Sequence, residues 1–151
     1  MDTLLFAIGL AVALVVVRWH DGRVWAWLFG LFCITLVVHL LKHWIGREKA
    51  WQQRPPGACQ CDLMESSEAN AAGEHGFPSG HAAFAMFYVL GLGWVTRSPW
   101  VFAIGLPWVV YVGYSRIHKR CHTVLQVVAG YLVGLIGFLG FMNIYQNYSI
   151  V

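Results

Sequence analysis

Phe77-Pro78-Ser79-Gly80-His81, with Arg54-Pro55 before it and Ser115-Arg116 and His122 after it, holds side chains suited to moving a phosphoryl group. A histidine can attack phosphorus or protonate a leaving oxygen. Arginine presents a planar fork that matches phosphate oxygens. A Pro-Ser-Gly helix start adds backbone N–H groups with no acceptor in their own helix, backed by the helix dipole. This set suits phosphoryl transfer without a metal ion. Every member lies at the end of an apolar segment, so the chemistry belongs at a membrane surface, on a lipid phosphate.

The long polar stretch from Gly46 to Gly76 leads from Arg47 through Arg54-Pro55-Pro56 to the helix start. A structureless loop of that length is uncommon unless it is functional or disordered. Pro78 is predicted at the first helical position, where its missing N–H costs nothing. The N–H groups of Ser79, Gly80 and His81 are then expected as anion donors, with Gly80 admitting phosphate to the backbone and the Ser79 hydroxyl adding a donor. An ordinary helix start would explain Pro-Ser-Gly alone; His81 and the arginines favour a site. Downstream, His122 opens a helix, with Gln126 one turn later on the same side. The helix dipole favours a neutral imidazole there. Gln126 can accept from one ring nitrogen and leave the other aimed outward, an oriented nucleophile.

The elements that must position these residues are membrane helices. Of 151 residues, 58% are hydrophobic and 11% charged, where soluble domains carry about 25% charged residues. Mean hydropathy is +0.59. Five apolar runs stand out: Leu4–Val17, Val24–Leu41, Pro78–Val95, Pro99–Tyr114 and Val124–Tyr145. A span needs roughly 20 residues, so the first and fourth are short and need their flanks. Strand alternation is absent. The fold class is therefore all-α, a polytopic bundle of about five transmembrane helices forming one domain over residues 1–151. Tryptophan favours the interface, and Trp19, Trp25, Trp27, Trp44, Trp51, Trp94 and Trp100 fall near predicted helix ends, with Trp108 inside a run.

The first run lacks a basic preceding region and a small-residue cleavage site, so it reads as a helix rather than a signal peptide. Arg18 and Arg23 follow it, which by the positive-inside tendency puts the N-terminus outside. Five spans then bring 46–76 and Arg116–His122 together on the outer face, with the active site on the lumenal or periplasmic side of an endoplasmic reticulum or bacterial inner membrane. The outer face also carries more basic residues in total, against the simple rule; several of these are candidate phosphate ligands.

Arg54-Pro55, then Pro78-Ser79-Gly80-His81, then Ser115-Arg116 with His122 six residues after Arg116, resembles the type-2 phosphatidic acid phosphatase superfamily, over residues 47 to 126. The resemblance implies that His122 is the nucleophile forming a phosphohistidine and that His81 is the general acid. It makes Arg47, Arg54, Ser79, Gly80 and Arg116 ligands of the phosphoryl oxygens, and it implies no metal or other cofactor. Positioned donors would stabilise the equatorial oxygens instead. Two positions depart from the family pattern. Arg47 stands where the family has lysine, and Gln126 where it has an aspartate that holds the histidine; a neutral amide orients the ring without stabilising imidazolium by charge. His122-Thr123 followed by Gln126-Val127 is similar to the dolichyl-diphosphatase branch. The family core has six helices, with three rather than two before the Arg-Pro segment.

The expected activity is hydrolysis of a membrane lipid phosphate, foremost a polyprenyl diphosphate (dolichyl or undecaprenyl) to its monophosphate, with no nucleic-acid partner. A phosphatidate or phosphatidylglycerophosphate phosphatase, a lipid phosphotransferase, an inactive membrane scaffold and a transporter are the alternatives. Intact Arg54, His81, Arg116 and His122 weigh against the scaffold.

Other features carry two readings each. His39, Lys42 and His43 share one helix face and either reach a diphosphate headgroup or include a lysine snorkelling to the interface. His75 reads as a solvated loop residue, and His118, Lys119 and Arg120 as an anion-attracting or plain charged turn. Cys33 reads as packed. Either Cys59 or Cys61 could bridge Cys121 if that face is oxidising. Gly130, Gly134, Gly137 and Gly140 are expected to form a close-packed face.

Overall fold

The structure, a computed structural model, describes residues 9, 12, 13, 15, 18, 20–45, 48–58, 61 and 74–148. Among the described residues four helices can be given bounds: α1 (Gly22–Ile45), α2 (Gly80–Thr96), α3 (Pro99–His118) and α4 (Val124–Tyr148), with a 3₁₀ turn at Ala50–Gln52 after α1. Among the described residues, pairing of strand type is limited to an isolated antiparallel bridge between Gln53 and His75. The first apolar run lies largely outside the described residues; its described positions Gly9, Val12, Ala13 and Val15 are helical.

Local chemistry sets the helix ends. Asp21 accepts the Arg23 amide at 3.0 Å and pairs with its guanidinium at 2.7 Å, giving the free first-turn N–H groups of α1 an acceptor. α2 stops where Arg97 turns left-handed (φ 54°) and returns its N–H to the Gly93 carbonyl. Ser98 follows, and Pro99 sits in the first turn of α3, which tolerates its missing N–H. The two-residue turn makes α2 and α3 an antiparallel hairpin.

α2 is the centre of the bundle and packs against the other three helices. Ala82, Ala83, Ala85, Phe87, Tyr88, Val89, Leu92 and Val95 are all buried. Trp27 of α1 is fully buried against Tyr88, with ring centroids 5.1 Å apart, so it is a core residue and not the interfacial anchor its position suggested. Outward residues such as Phe29, Phe32, Ile104 and Val110 are large, apolar and exposed. Such a surface suits lipid rather than water. α1, α3 and α4 are long and apolar enough to cross a membrane.

Two expectations about spans change. Pro99–Tyr114 looked short but extends to His118, giving 20 residues. Pro78–Val95 looked adequate, yet α2 has 17 residues, because Ser79 caps the helix and Pro78 stays outside it. The glycine face of α4 is likewise partial. A Cβ at Gly130 would run into the Ser79 carbonyl and Ala82, and one at Gly134 into Ala83 and Met86; at Gly140 it would meet nothing within 4 Å.

Candidate active site

The two ends of the polar loop are stitched together beneath the site. Gly76 and Phe77 both donate to the Gln52 carbonyl, at 2.7 and 3.1 Å, and Arg54 donates its amide to the Glu74 carbonyl at 2.9 Å. Buried Gln52 ties this patch to the bundle: its Nε2 donates to the Ile45 carbonyl at the end of α1, and its Oε1 accepts from the Lys49 amide. Trp51 stacks edge-on against Phe77 with centroids 5.0 Å apart. Arg54 is thereby held in a buried position directly before Pro55. Arg47 lies outside the described residues.

At the start of α2, Ser79 is the N-cap, with its hydroxyl accepting from the Ala82 amide at 3.5 Å. Its own amide donates to the Gln126 carbonyl at 2.9 Å, so it is not the anion donor expected from sequence, and its side chain is fully buried. Pro78 precedes the cap and follows a cis peptide bond. Gly80 and His81, the first two helical residues, keep N–H groups with no acceptor in their own helix.

The third segment is the turn between α3 and α4. Arg116 is buried in the last turn of α3, donates Nη1 to the Cys61 carbonyl at 3.1 Å, and receives at its carbonyl the amides of Cys121 and His122. Cys61 and Cys121 form a disulfide with Cα atoms 5.4 Å apart, so of the two candidates Cys61 is the bridging residue; Cys59 lies outside the described residues. The bridge ties Cys61 to the residue directly before His122.

Thr123 and Gln126 cap α4 reciprocally. The Gln126 amide N–H donates to Thr123 Oγ1 at 3.3 Å, and the Thr123 amide N–H donates to Gln126 Oε1 at 3.1 Å. Gln126 is fully buried and its Nε2 donates to the Trp51 carbonyl at 2.9 Å and the Gln53 carbonyl at 2.7 Å. Those two acceptors fix which end of the amide is nitrogen. Oε1 therefore faces His122 Nδ1, at 3.3 Å. A carbonyl oxygen only accepts, so Nδ1 carries the proton and Nε2 keeps its lone pair. Gln126 thus holds the His122 ring, and it also anchors the Arg54 loop.

His122 is buried. Burial holds its pKa well below the ordinary imidazole value, at about 3, and the positive charges of Lys42 and Arg54, then His81, push the same way. The ring is neutral at physiological pH, as a nitrogen nucleophile must be. Lys42, Arg54 and His81 are thus within electrostatic reach of His122. His81 and Lys42 also line a common cavity of about 220 Å³ between α1 and α2 with Gly80, while His39 and His43 are exposed. Among the described residues no three His, Cys, Asp or Glu side chains could hold a metal ion together.

The structure brings His122, His81, Gly80, Arg54, Arg116 and Gln126 to one end of the bundle. Gln52, Gly76 and Thr123 are supporting residues that sequence reasoning passed over. Thr-x-x-Gln is a readable capping-box pattern. Gly76 is explained only by the fold: a Cβ there would sit 2.8 Å from both polar atoms of the Gln126 amide and 2.9 Å from the Gln53 carbonyl carbon.

A family model described as the PAP2 superfamily matches residues 3–150. The chain is 31% identical over 71 residues to a protein named undecaprenyl-diphosphatase from Sulfolobus acidocaldarius, covering 47% of this chain and 33% of that one. It is 33% identical over 86 residues to lipid phosphate phosphatase gamma of Arabidopsis thaliana, covering 49% of this chain and 35% of the relative. The chain thus spans about a third of the length of the curated relatives it matches. No solved structure matches it at comparable significance.

Proposed function

The chain belongs to the PAP2 superfamily, and from that premise we propose that it is an integral-membrane phosphatase acting on a lipid diphosphate, foremost a polyprenyl diphosphate such as dolichyl or undecaprenyl diphosphate. The observation that carries this reading is the neutral His122, its Nδ1 held by Gln126, with Lys42, Arg54 and His81 around it. Nε2 attacks the terminal phosphorus in line, forming a P–N bond as the bridging P–O bond breaks. His81 protonates the departing oxygen, so the lipid leaves as its monophosphate. Arg54, Arg116, the Gly80 amide and Arg47 neutralise the equatorial oxygens, where positioned donors do most for a metaphosphate-like transition state. Water then attacks the phosphohistidine, His81 takes its proton, and inorganic phosphate departs.

The Sulfolobus relative's name supports a diphosphate substrate. The Arabidopsis relative's name favours a second reading, a lipid monoester such as phosphatidate. Gln126 at the position of the family aspartate keeps the dolichyl-diphosphatase branch as the preferred one. The Cys61–Cys121 bridge supports a lumenal or periplasmic site, since disulfides persist in oxidising compartments.

Purified protein in detergent with EDTA, assayed against polyprenyl diphosphates and phosphatidate, tests the reading. Phosphate release with an acid-labile, alkali-stable phosphoenzyme that disappears in His122→Asn is expected. Turnover that needs an added divalent ion, or that survives in His122→Asn, overturns the mechanism.

A further inference from the structure

We propose that Lys42, facing His81 across the cavity between α1 and α2, is the binding residue for the leaving phosphate of a lipid diphosphate. This rests on the phosphatase reading above and adds a subsite to it. Lys42 lies five residues before Arg47, the position matched to the family lysine, so the resemblance assigns it no role.

The placement follows from the reaction. A general acid must stand at the bridging oxygen, with the attacked phosphorus on one side and the leaving group on the other. His122 defines the attacked side. The cavity of about 220 Å³ adjoins His81, the proposed acid, and of its lining residues only Lys42 and His81 carry titratable groups. The remaining wall includes Ile34, Val38 and Phe84, so a cation there acts in a medium of low polarity and counts for more than in water. The volume is that of several water molecules. Lys42 is half-buried, and its charge is felt at His122, which puts it within electrostatic reach of the reacting phosphorus.

The direction of the lipid chain agrees. In a lipid diphosphate the chain is attached to the leaving phosphate, so its path must open from the Lys42 side. Ile34 lines the cavity and also lines an apolar groove of about 750 Å³ between α1 and α4. Lys42 and Ile34 are eight residues apart, about 12 Å along the helix axis. A phosphate at Lys42 thus leads past Ile34 into a groove whose wall includes Gly30, Gly137 and Gly140, with an apolar lining and a volume that suit a hydrocarbon chain. A monoester has no second phosphate to place at Lys42.

Wild type, Lys42→Met and Lys42→Arg are compared in detergent on a polyprenyl diphosphate and on phosphatidate. Losing one charge-assisted contact predicts that Lys42→Met lowers kcat/KM on the diphosphate roughly 10- to 100-fold, with a loss on phosphatidate about tenfold smaller. Lys42→Arg should keep most of the diphosphate preference. As a binding readout independent of turnover on lipids, inorganic pyrophosphate should inhibit more tightly than phosphate, and Lys42→Met should erase the difference. Equal losses on both lipids, or an unchanged pyrophosphate preference, overturn the subsite while leaving the phosphatase reading intact. A wild type that releases phosphate from neither lipid overturns that reading and the subsite with it.

Discussion

Replacing Gln126 by glutamate is nearly isosteric, yet the structure predicts a large loss. The family pattern has a carboxylate at this position, which suggests that an acid would be welcome. Here the Gln126 nitrogen donates to the Trp51 and Gln53 carbonyls at 2.9 and 2.7 Å, inside a side chain with no exposed surface. A carboxylate has no proton for either. Each carbonyl left without its donor costs about 1–3 kcal/mol, and because both bonds are only part-buried the lower half applies, roughly 2–4 kcal/mol together. On the soluble-domain scale this lowers Tm by about 4–16 °C. The carboxyl escapes by taking up a proton, so its folded pKa rises above its unfolded value and the deficit shrinks as pH falls. Gln126→Glu should therefore melt far below wild type at pH 8 and approach it at pH 5. Turnover should fall by about 10²-fold, since the Arg54 loop loses its anchor. Thermal unfolding in detergent at both pH values, alongside phosphate release, checks this. A Glu variant that melts with wild type at pH 8 would refute the double-donor role of Gln126.

His81→Ala should lose about 10²–10⁴-fold on lipid diphosphates and much less on aryl phosphates with good leaving groups, because only the former need a proton on the departing oxygen; equal losses on both remove its acid role. His122 stays neutral in the fold down to about pH 3, whereas the unfolded chain protonates it near its usual 6.5, so its contribution to stability is complete above that value and declines as pH falls. The slope from this one group reaches about 1.4 kcal/mol per pH unit, and urea unfolding of His122→Asn between pH 6 and 4 should be flatter than wild type by that amount. Gly76→Ala should destabilise the protein and reduce turnover, as its methyl would meet the Gln126 amide at 2.8 Å; an unchanged melting profile contradicts this.

The cluster at one end of the bundle was legible because it is written in rare residues: histidines and arginines at helix ends in an otherwise apolar chain stand out. The helices α1, α3 and α4 were legible for the same reason, as unbroken apolar runs. What the sequence concealed was how polar groups divide their hydrogen bonds. The Ser79 amide looked like an anion donor, but it goes to the Gln126 carbonyl, a pairing across 47 positions that no local pattern encodes. Trp27 looked interfacial because helix-end tryptophans usually are, and its burial against Tyr88 depends on which way α1 is turned. Gly140 followed the spacing of its packed neighbours, yet it lines the groove between α1 and α4, with nothing within 4 Å of a Cβ built there.

The close approach of α4 to the start of α2 has a consequence for how the protein behaves outside its native bilayer. Gly130 meets the Ser79 carbonyl and Ala82, and Gly134 meets Ala83, so the two helices touch backbone to backbone. In hydrocarbon no hydrophobic force holds such a seam; it persists because helix–helix contact is tighter than helix–lipid contact. The same seam carries the Ser79-to-Gln126 hydrogen bond, and through Gln126 the orientation of His122. Small, penetrating detergents that compete for the notch would therefore loosen the setting of His122 while every helix remains intact.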